Sequence, residues 1–167
     1  MELIIIVIVL IGFSTLAIAG KSFAPWVPTK KKDIERVMRL AELRPGEIWF
    51  ELGCGDGRMT VAAAQAGSKA TGIELALPLY LAAKIRALKS SAKIRYGNLF
   101  KLDISNADVV YFFGMPDPIT KKLKTKLEAE LKPGTRVISY AFPVEGWEPL
   151  IVDKPTENDI DIYLYNI

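Results

Sequence analysis

The sequence predicts an α/β domain with a doubly wound, mostly parallel sheet that ends in an antiparallel hairpin and is preceded by one transmembrane helix. Three observations lead to this prediction. Strand-like and helix-like segments alternate from residue 47 to residue 142, which is typical of parallel strands joined by helical crossovers. The last two strand-like runs are joined by a short polar turn, as in an antiparallel hairpin. An uncharged apolar run occupies residues 3–20, which is long enough to cross a bilayer.

Apolar periodicity places each element of the domain in chain order. Apolar residues recur at helical spacing over 30–43, which predicts a first helix that ends before Pro45. The alternation that follows predicts strands over 47–52, 70–74, 92–96, 107–113 and 135–142. Helices are predicted between them over 57–66, 77–89 and 117–131. The hairpin is predicted from two final runs, 149–154 and 159–166.

We interpret residues 1–21 as a transmembrane anchor and residues 22–46 as a linker followed by the first helix. A helix over 3–20 is about 27 Å long, close to the roughly 30 Å hydrocarbon core of a bilayer. Positive charge follows the apolar run at Lys21 and Lys30–Lys32, which predicts that the larger domain is cytoplasmic. A cleaved signal peptide and a buried core helix are the alternatives.

Composition excludes several classes of site and partner. The chain has 22 Lys and Arg against 19 Asp and Glu, a net charge of +3, whereas binding through many phosphate contacts usually needs a larger excess. We therefore expect no nucleic-acid partner, and we interpret the lysine-rich stretch 121–126 as a solvated helix face. No histidine and a single cysteine exclude a structural zinc site, an intramolecular disulfide and a histidine-based triad. No metal site is predicted.

A glycine-rich loop follows the strand predicted over 47–52. Its glycines at 53, 55 and 57 allow a tight turn and close approach of the backbone to a ligand. A dinucleotide fingerprint would have its third glycine at position 58, which is Arg58, and no phosphate-loop lysine follows. Glu74 lies 21 residues after Gly53 at the end of the next strand, where a carboxylate can accept hydrogen bonds from both ribose hydroxyls. These residues indicate an adenosine cofactor.

At this loop the sequence resembles the class I, seven-strand S-adenosylmethionine methyltransferases, whose first motif is an acidic residue, an apolar residue and Gly-x-Gly-x-Gly. The resemblance is closer to the membrane-anchored protein-lysine methyltransferases. These include mitochondrial enzymes that act on the ATP synthase c-subunit and the adenine nucleotide translocase, and small prokaryotic relatives. Four segments carry it: PWVPT (25–29), ELGCGDGR (51–58), GIELALPLYLAAKIRA (72–87) and GTRVISYAFPVEGWEP (134–149). The resemblance implies a Rossmann-like methyltransferase core over 47–167 that uses S-adenosyl-L-methionine.

The resemblance also implies a role for each predicted cofactor-binding residue. Gly53, Gly55 and Gly57 would bind the methionine part of the cofactor, Glu51 would face its amino group, and Glu74 would hold its ribose. Asn98 matches the position that contacts adenine. Pro28 and Thr29 belong to an upstream segment that closes over the cofactor.

The acceptor is expected at the ends of the fourth and fifth strands, where Phe113 and Tyr140 are the predicted catalytic-site residues. Aromatic faces there could guide a lysine amine and attract a sulfonium, although packing in the core explains Phe113 equally well and is the favoured explanation of Tyr140. The strand end lacks the Asn/Asp-Pro-Pro-aromatic motif of enzymes that methylate nucleobase amines. We therefore predict a protein substrate with a target lysine, including one embedded in a membrane. The alternatives are a small-molecule or lipid amine methyltransferase and a non-catalytic membrane adaptor of the same fold.

Overall fold

One seven-stranded mixed sheet forms the centre of the protein, in the order β3-β2-β1-β4-β5-β7-β6. The computed structural model describes the backbone of residues 1–167 and all side chains except those of residues 8, 9 and 11. The strands are β1 (Ile48–Leu52), β2 (Lys69–Glu74), β3 (Lys93–Tyr96), β4 (Val109–Phe113), β5 (Arg136–Tyr140), β6 (Ile151–Asp153) and β7 (Ile162–Asn166). The α-helices are α1 (Glu2–Ser22), α2 (Lys31–Ala41), α3 (Arg58–Gln65), α4 (Leu77–Ala87), α5 (Pro116–Pro118) and α6 (Lys124–Glu130).

The pairing of the strands confirms the predicted fold class. Strands β1 to β5 pair in parallel, whereas β7 pairs antiparallel with both β5 and β6. The strand order reverses between β1 and β4, because β1 is flanked by β2 on one side and β4 on the other. In doubly wound sheets, ligands bind outside the carboxyl ends of the strands at such a switch point.

Helices cover both faces of the central strands, which explains why those strands are apolar throughout. On one face, Phe112 packs with Leu123 and Leu127, and on the other face Tyr111 packs with Met59. Alternate residues of β4 therefore enter different cores, and both are buried, as expected for a parallel sheet covered on both sides.

The helix predicted over 117–131 differs from the structure in its regularity. A π-helical turn, Ile119–Leu123, separates α5 from α6. Ile119, Leu123 and Leu127 are all fully buried. These three residues are spaced four apart, slightly more than the length of one α-helical turn. The wider π-helical turn compensates for this difference and keeps the three side chains on one buried face.

One lysine of the stretch 121–126 contradicts the interpretation of a solvated face. Lys126 is buried, and its Nζ donates to the carbonyl of Leu102 and to the Glu130 carboxylate, both at 2.5 Å. A buried ammonium needs such partners to replace its water. The prediction is therefore wrong at Lys126, while Lys121 and Lys122 are exposed.

The amino-terminal helix α1 is long and apolar enough to cross a membrane, and most of its described side chains are exposed, unlike those of a buried core helix. Its second half packs on the domain. The Leu77 amide donates to Thr15 Oγ1 at 3.1 Å, and a Cβ built on Gly12 would lie 3.3 Å from Cγ of Pro78. At the end of the helix, Phe23 is buried with its ring centroid 6.0 Å from that of Phe100. Helix α1 is therefore joined to the domain along one side.

Candidate functional site

A cavity lies at the carboxyl ends of β1, β2 and β4, beside the switch point of the sheet. Most of the residues predicted to bind the cofactor line it, together with Phe113: Pro28, Thr29, Glu51, Gly53, Gly55, Glu74 and Asn98. The end of α1 forms part of the wall through Ala19, Gly20 and Phe23. The structure thus brings residues from distant parts of the sequence to a single site.

The glycine loop has the backbone conformation that the sequence predicted. Gly53 and Gly55 have φ values of 82° and 55°, a left-handed region that side chains disfavour. The ring of Trp26 lies over Gly55, where a Cβ would be 2.8 Å from two ring atoms. Glycine therefore allows both the turn and the close approach of Trp26.

Glu74 joins the glycine loop to the start of α4. One carboxylate oxygen accepts from the Gly55 amide and the other accepts from the Ala76 amide, each at 2.7 Å. Burial raises the pKa of Glu74, and the backbone donors partly oppose this shift. Each carboxylate oxygen has a second lone pair, so Glu74 can hold the loop and accept bonds from a ligand.

Glu51 is a buried acid at the end of β1. The hydroxyl of Thr60 donates to its carboxylate. Burial raises the pKa of Glu51 to about 8, and the nearby carboxylates of Asp56 and Glu74 contribute to the increase. At neutral pH the ligand-free protein therefore holds a mostly neutral carboxyl group here. An arriving cation would favour its ionised form.

The segment Phe23–Thr29 forms a strap across the cavity. The Met115 amide donates to the Phe23 carbonyl at 3.0 Å, and the Arg58 guanidinium donates to the Thr29 carbonyl at 3.0 Å. Arg58 also pairs with Asp56 at 2.6 Å. Burial opposes ionisation of Asp56, but Arg58 and Arg86 hold its pKa below the ordinary value. The strap is therefore fixed at both ends.

Tyr111 is a candidate site residue that the sequence analysis did not place among the cofactor-binding residues. It pairs with Glu51 across β4 and β1, lines the cavity and is 2% exposed. Among the described side chains, Thr29 approaches its hydroxyl, but nothing completes a hydrogen bond to it. Burial, together with the Glu51 charge, raises the pKa of the Tyr111 hydroxyl, which therefore stays protonated. A buried hydroxyl without a partner at a cavity wall indicates a position for a ligand atom.

Two predicted site residues do not line the cavity. Gly57 precedes the first turn of α3 with φ of 77°, and a Cβ at this position would lie 2.9 Å from the Cβ of Ala83. The absence of a side chain at Gly57 therefore lets α3 approach α4. Tyr140 is buried, and its hydroxyl donates to Asp33 at 2.9 Å. The ring centroid of Tyr140 is 6.0 Å from that of Phe113, which places Tyr140 behind the wall. Asn98 does line the cavity, but its side chain accepts from the Phe100 amide at 2.9 Å.

Residues 51–151 match a family model described as the ANTKMT methyltransferase domain. The chain belongs to the ANTKMT methyltransferase family. It is 39% identical over 151 residues to a protein-lysine N-methyltransferase of Saccharolobus islandicus, a match that covers 86% of this chain and 93% of that protein. It is also 36% identical over 148 residues to the lysine N-methyltransferase of the ATP synthase c-subunit from Mus musculus. That match covers 86% of this chain but 58% of the mouse protein, so the chain spans little more than half of that relative.

The fold of this family member also matches solved methyltransferase structures. An RNA methyltransferase from Salinibacter ruber, in complex with S-adenosyl-L-homocysteine, superposes with a TM-score of 0.79 and 34% identity. The match covers 84% of this chain and 94% of that one. The predicted family, enzyme class and cofactor are confirmed: this chain is an S-adenosylmethionine-dependent methyltransferase.

The cavity residues fit this cofactor chemically. S-adenosylmethionine carries an ammonium, a carboxylate and a ribose diol. Glu51 can accept from an ammonium, and Glu74 can accept from the diol. The Tyr111 hydroxyl, which lacks a partner among the described side chains, can donate to a carboxylate or accept from an ammonium.

Proposed function

We propose that this methyltransferase transfers methyl groups to lysine side chains of a protein substrate at the cytoplasmic face of a membrane. The match along 93% of an archaeal protein-lysine N-methyltransferase is the observation that carries the substrate class. The membrane location is supported by the length and apolarity of α1 and by the four lysines that follow its apolar run. Because α1 forms part of the cavity wall, an acceptor would enter close to the anchor.

The proposed roles of the cavity residues follow from their donors, acceptors and charge. S-adenosylmethionine, when bound, supplies an electrophilic methyl group on its sulfonium. Glu74 accepts from the ribose, Glu51 pairs with the ammonium, and Tyr111 holds the amino-acid end. Gly53 and Gly55 allow close approach of the backbone, Pro28 and Thr29 cover the cofactor, and Asn98 lies on the adenine side.

Phe113 is the residue that we propose contacts the acceptor amine. It is partly exposed and lines the cavity, whereas Tyr140 packs against its ring from behind. We therefore revise the role of Tyr140 from contact with the acceptor to positioning of Phe113. An aromatic, partly dry wall favours the neutral amine over the ammonium, and the neutral amine is the nucleophile.

The name of the Salinibacter structure raises RNA as a second acceptor class. At the end of β4 this chain has Gly114-Met115-Pro116 in place of the nucleobase-amine motif, and its net charge is only +3. Both observations favour a protein amine over a nucleobase. A small-molecule or lipid amine is the remaining enzymatic alternative.

The test of the substrate class uses the purified full-length protein with methyl-labelled S-adenosylmethionine and a membrane extract. We expect the label in protein, and mass spectrometry should place one or more methyl groups on lysine. The rate should rise with pH through the range where a partly desolvated lysine deprotonates, below its ordinary pKa of about 10.4. Label that appeared only in lipid or RNA would overturn the proposed substrate while leaving the cofactor assignment intact.

The location is tested independently of the substrate. Protease added outside intact cells should leave the domain intact, and alkaline carbonate should fail to extract the protein. A soluble chain that begins near Gly20 would instead indicate a cleaved signal peptide.

Cofactor binding should release a proton from Glu51. The folded-state pKa of about 8 lies above the ordinary 4.5, so this group stabilises the ligand-free protein fully only at low pH. The contribution is lost as pH rises from about 4.5 to about 8. A bound ammonium should lower the pKa and expel the proton near pH 7. Calorimetry of S-adenosylhomocysteine binding in buffers of different ionisation enthalpy should detect this release, and Glu51→Gln should lack it. Equal proton release by the variant would contradict the assignment.

The Tyr111→Phe substitution should weaken S-adenosylhomocysteine binding by about ten- to one-hundredfold, because one hydrogen bond to a charged group is lost. Binding of methylthioadenosine, which lacks the amino-acid end, should change little. Tyr165→Phe is the matched control, because Tyr165 is a buried tyrosine whose hydroxyl bonds to the Val144 amide away from the cavity. Equal weakening of both ligands by Tyr111→Phe would exclude a specific contact with the amino-acid end.

A further inference from the structure

Helix α4 carries an exposed apolar strip on its outer face. Leu81, Ile85 and the C-cap residue Leu88 are 51%, 69% and 78% exposed. Their spacing of four and three residues places them on one side of the helix, while Ala83 and Ala87 face the core. Solvated helix faces are normally polar, so this strip indicates a contact surface.

The strip begins where α4 meets α1. Pro78, in the first turn of α4, lies against Gly12, and the preceding Leu77 amide bonds to Thr15. On α1 itself, Leu10 and Phe13 are 60% and 68% exposed beside this contact. The apolar strip of α4 is thus continuous with the apolar surface of the anchor.

The position of this contact limits how far α1 can enter a bilayer alone. Residues 2–11 extend beyond it, which corresponds to about 15 Å of helix, or half of the roughly 30 Å hydrocarbon core. The remainder of α1 lies beside the domain. With this contact kept, the free part of α1 reaches about the midplane of the bilayer when the outer face of α4 lies in the membrane interface.

The charges around the strip suit an anionic lipid surface. Residues 75–102 contain six Lys and Arg and neither Asp nor Glu. Two of these cations, Lys84 on α4 and Lys89 in the segment that leads into β3, are exposed beside the strip, whereas Arg86 pairs with Asp56. Each basic residue near an anionic membrane surface adds to the electrostatic attraction. An apolar face flanked by cations is typical of a helix that lies in the interface.

We propose that α4 is a second membrane contact, with Leu81, Ile85 and Leu88 inserted among the headgroups of an anionic phospholipid surface. The proposal rests on the proposed membrane anchoring by α1. It adds that the domain lies on the bilayer in one fixed orientation, with the edge of the sheet formed by β3 towards the lipid and the edge formed by β6 away from it.

The test places an environment-sensitive fluorophore on the full-length protein in vesicles of equal parts phosphatidylcholine and phosphatidylglycerol. Ile85→Cys carries the probe on the strip. Val152→Cys is the matched control, because Val152 is an apolar residue, 50% exposed, on the opposite edge strand β6. The native Cys54 is buried, and label incorporated into the unsubstituted chain is subtracted.

Brominated lipids should quench the probe at position 85 strongly and the probe at 152 weakly, and aqueous iodide should do the reverse. Quenching at 85 should weaken in pure phosphatidylcholine, and unchanged quenching would overturn the requirement for anionic lipid. Iodide access at 85 equal to that at 152, in protein that still resists carbonate extraction, would overturn the proposal and leave the anchoring by α1 intact. Protection from both quenchers would indicate a protein on the strip and would also overturn it. Extraction by carbonate would contradict the anchoring itself and the proposal with it.

Discussion

Replacing Glu74 with alanine should abolish methyl transfer to every acceptor. The substitution removes the proposed ribose acceptor and also leaves the buried amides of Gly55 and Ala76 without their partner. Each loss costs about 1–3 kcal/mol, so cofactor affinity should fall by at least tenfold and the glycine loop should lose order. Calorimetry with S-adenosylhomocysteine measures the first effect, and hydrogen exchange of the loop amides measures the second.

Two controls separate these effects from a general loss of structure. Glu157→Ala removes an exposed carboxylate in the turn between β6 and β7 and should leave both measurements unchanged. Glu74→Gln keeps one acceptor oxygen and should give an intermediate affinity. Wild-type affinity in Glu74→Ala, or binding of NADH in place of S-adenosylhomocysteine by the native chain, would contradict the assigned site.

Replacing Phe23 with alanine should lower the free energy of unfolding by about 3–5 kcal/mol, the usual cost of truncating a buried aromatic side chain. Phe23 is 5% exposed and lies between the rings of Phe100 and Phe112, with centroids 6.0 and 6.3 Å away. Its ring also occupies the space beside Gly114, where a Cβ would lie 2.5 Å from it. Because Phe23 lines the cavity, cofactor affinity should fall as well.

Phe13→Ala is the matched control for this prediction. Phe13 lies on the same helix but is 68% exposed, so its truncation should change unfolding in detergent by about 0.5 kcal/mol or less. Thermal and denaturant unfolding of both variants would measure the difference. Equal stability of Phe23→Ala and the native chain would show that the end of α1 is not docked in solution.

The fold and the cofactor-binding end of the site could be predicted because they depend on local patterns. The alternation of strand-like and helix-like segments located each strand to within a few residues. The central strands are recognisable because burial on both faces requires continuous apolar runs. The spacing of Gly53, Gly55 and Glu74 identified an adenosine cofactor because consecutive parallel strands end at the same edge of the sheet. These features need no knowledge of side-chain geometry.

The positions of several side chains could not be predicted, because they depend on the register of paired strands and on hydrogen bonds to residues far away in the sequence. Tyr111 enters the site because β4 pairs with β1 in a register that places it opposite Glu51, and its sequence position alone resembles that of any core residue. Tyr140 leaves the site because its hydroxyl bonds to Asp33, 107 residues away. Lys126 is buried because of the Leu102 carbonyl. Such long-range hydrogen bonds leave no periodic signal in the sequence.

The short strap between α1 and α2 holds the cavity of the enzyme at a fixed position relative to α1. Only residues 23–30 join the two helices, and hydrogen bonds hold the strap at Phe23 and Thr29. For a protein anchored by α1 as proposed, the cavity cannot swing away from the bilayer, as it could on a long flexible linker. In the proposed membrane setting, acceptors meet the enzyme by lateral diffusion, and the height of a lysine above the lipid becomes a criterion of specificity in addition to the sequence around it.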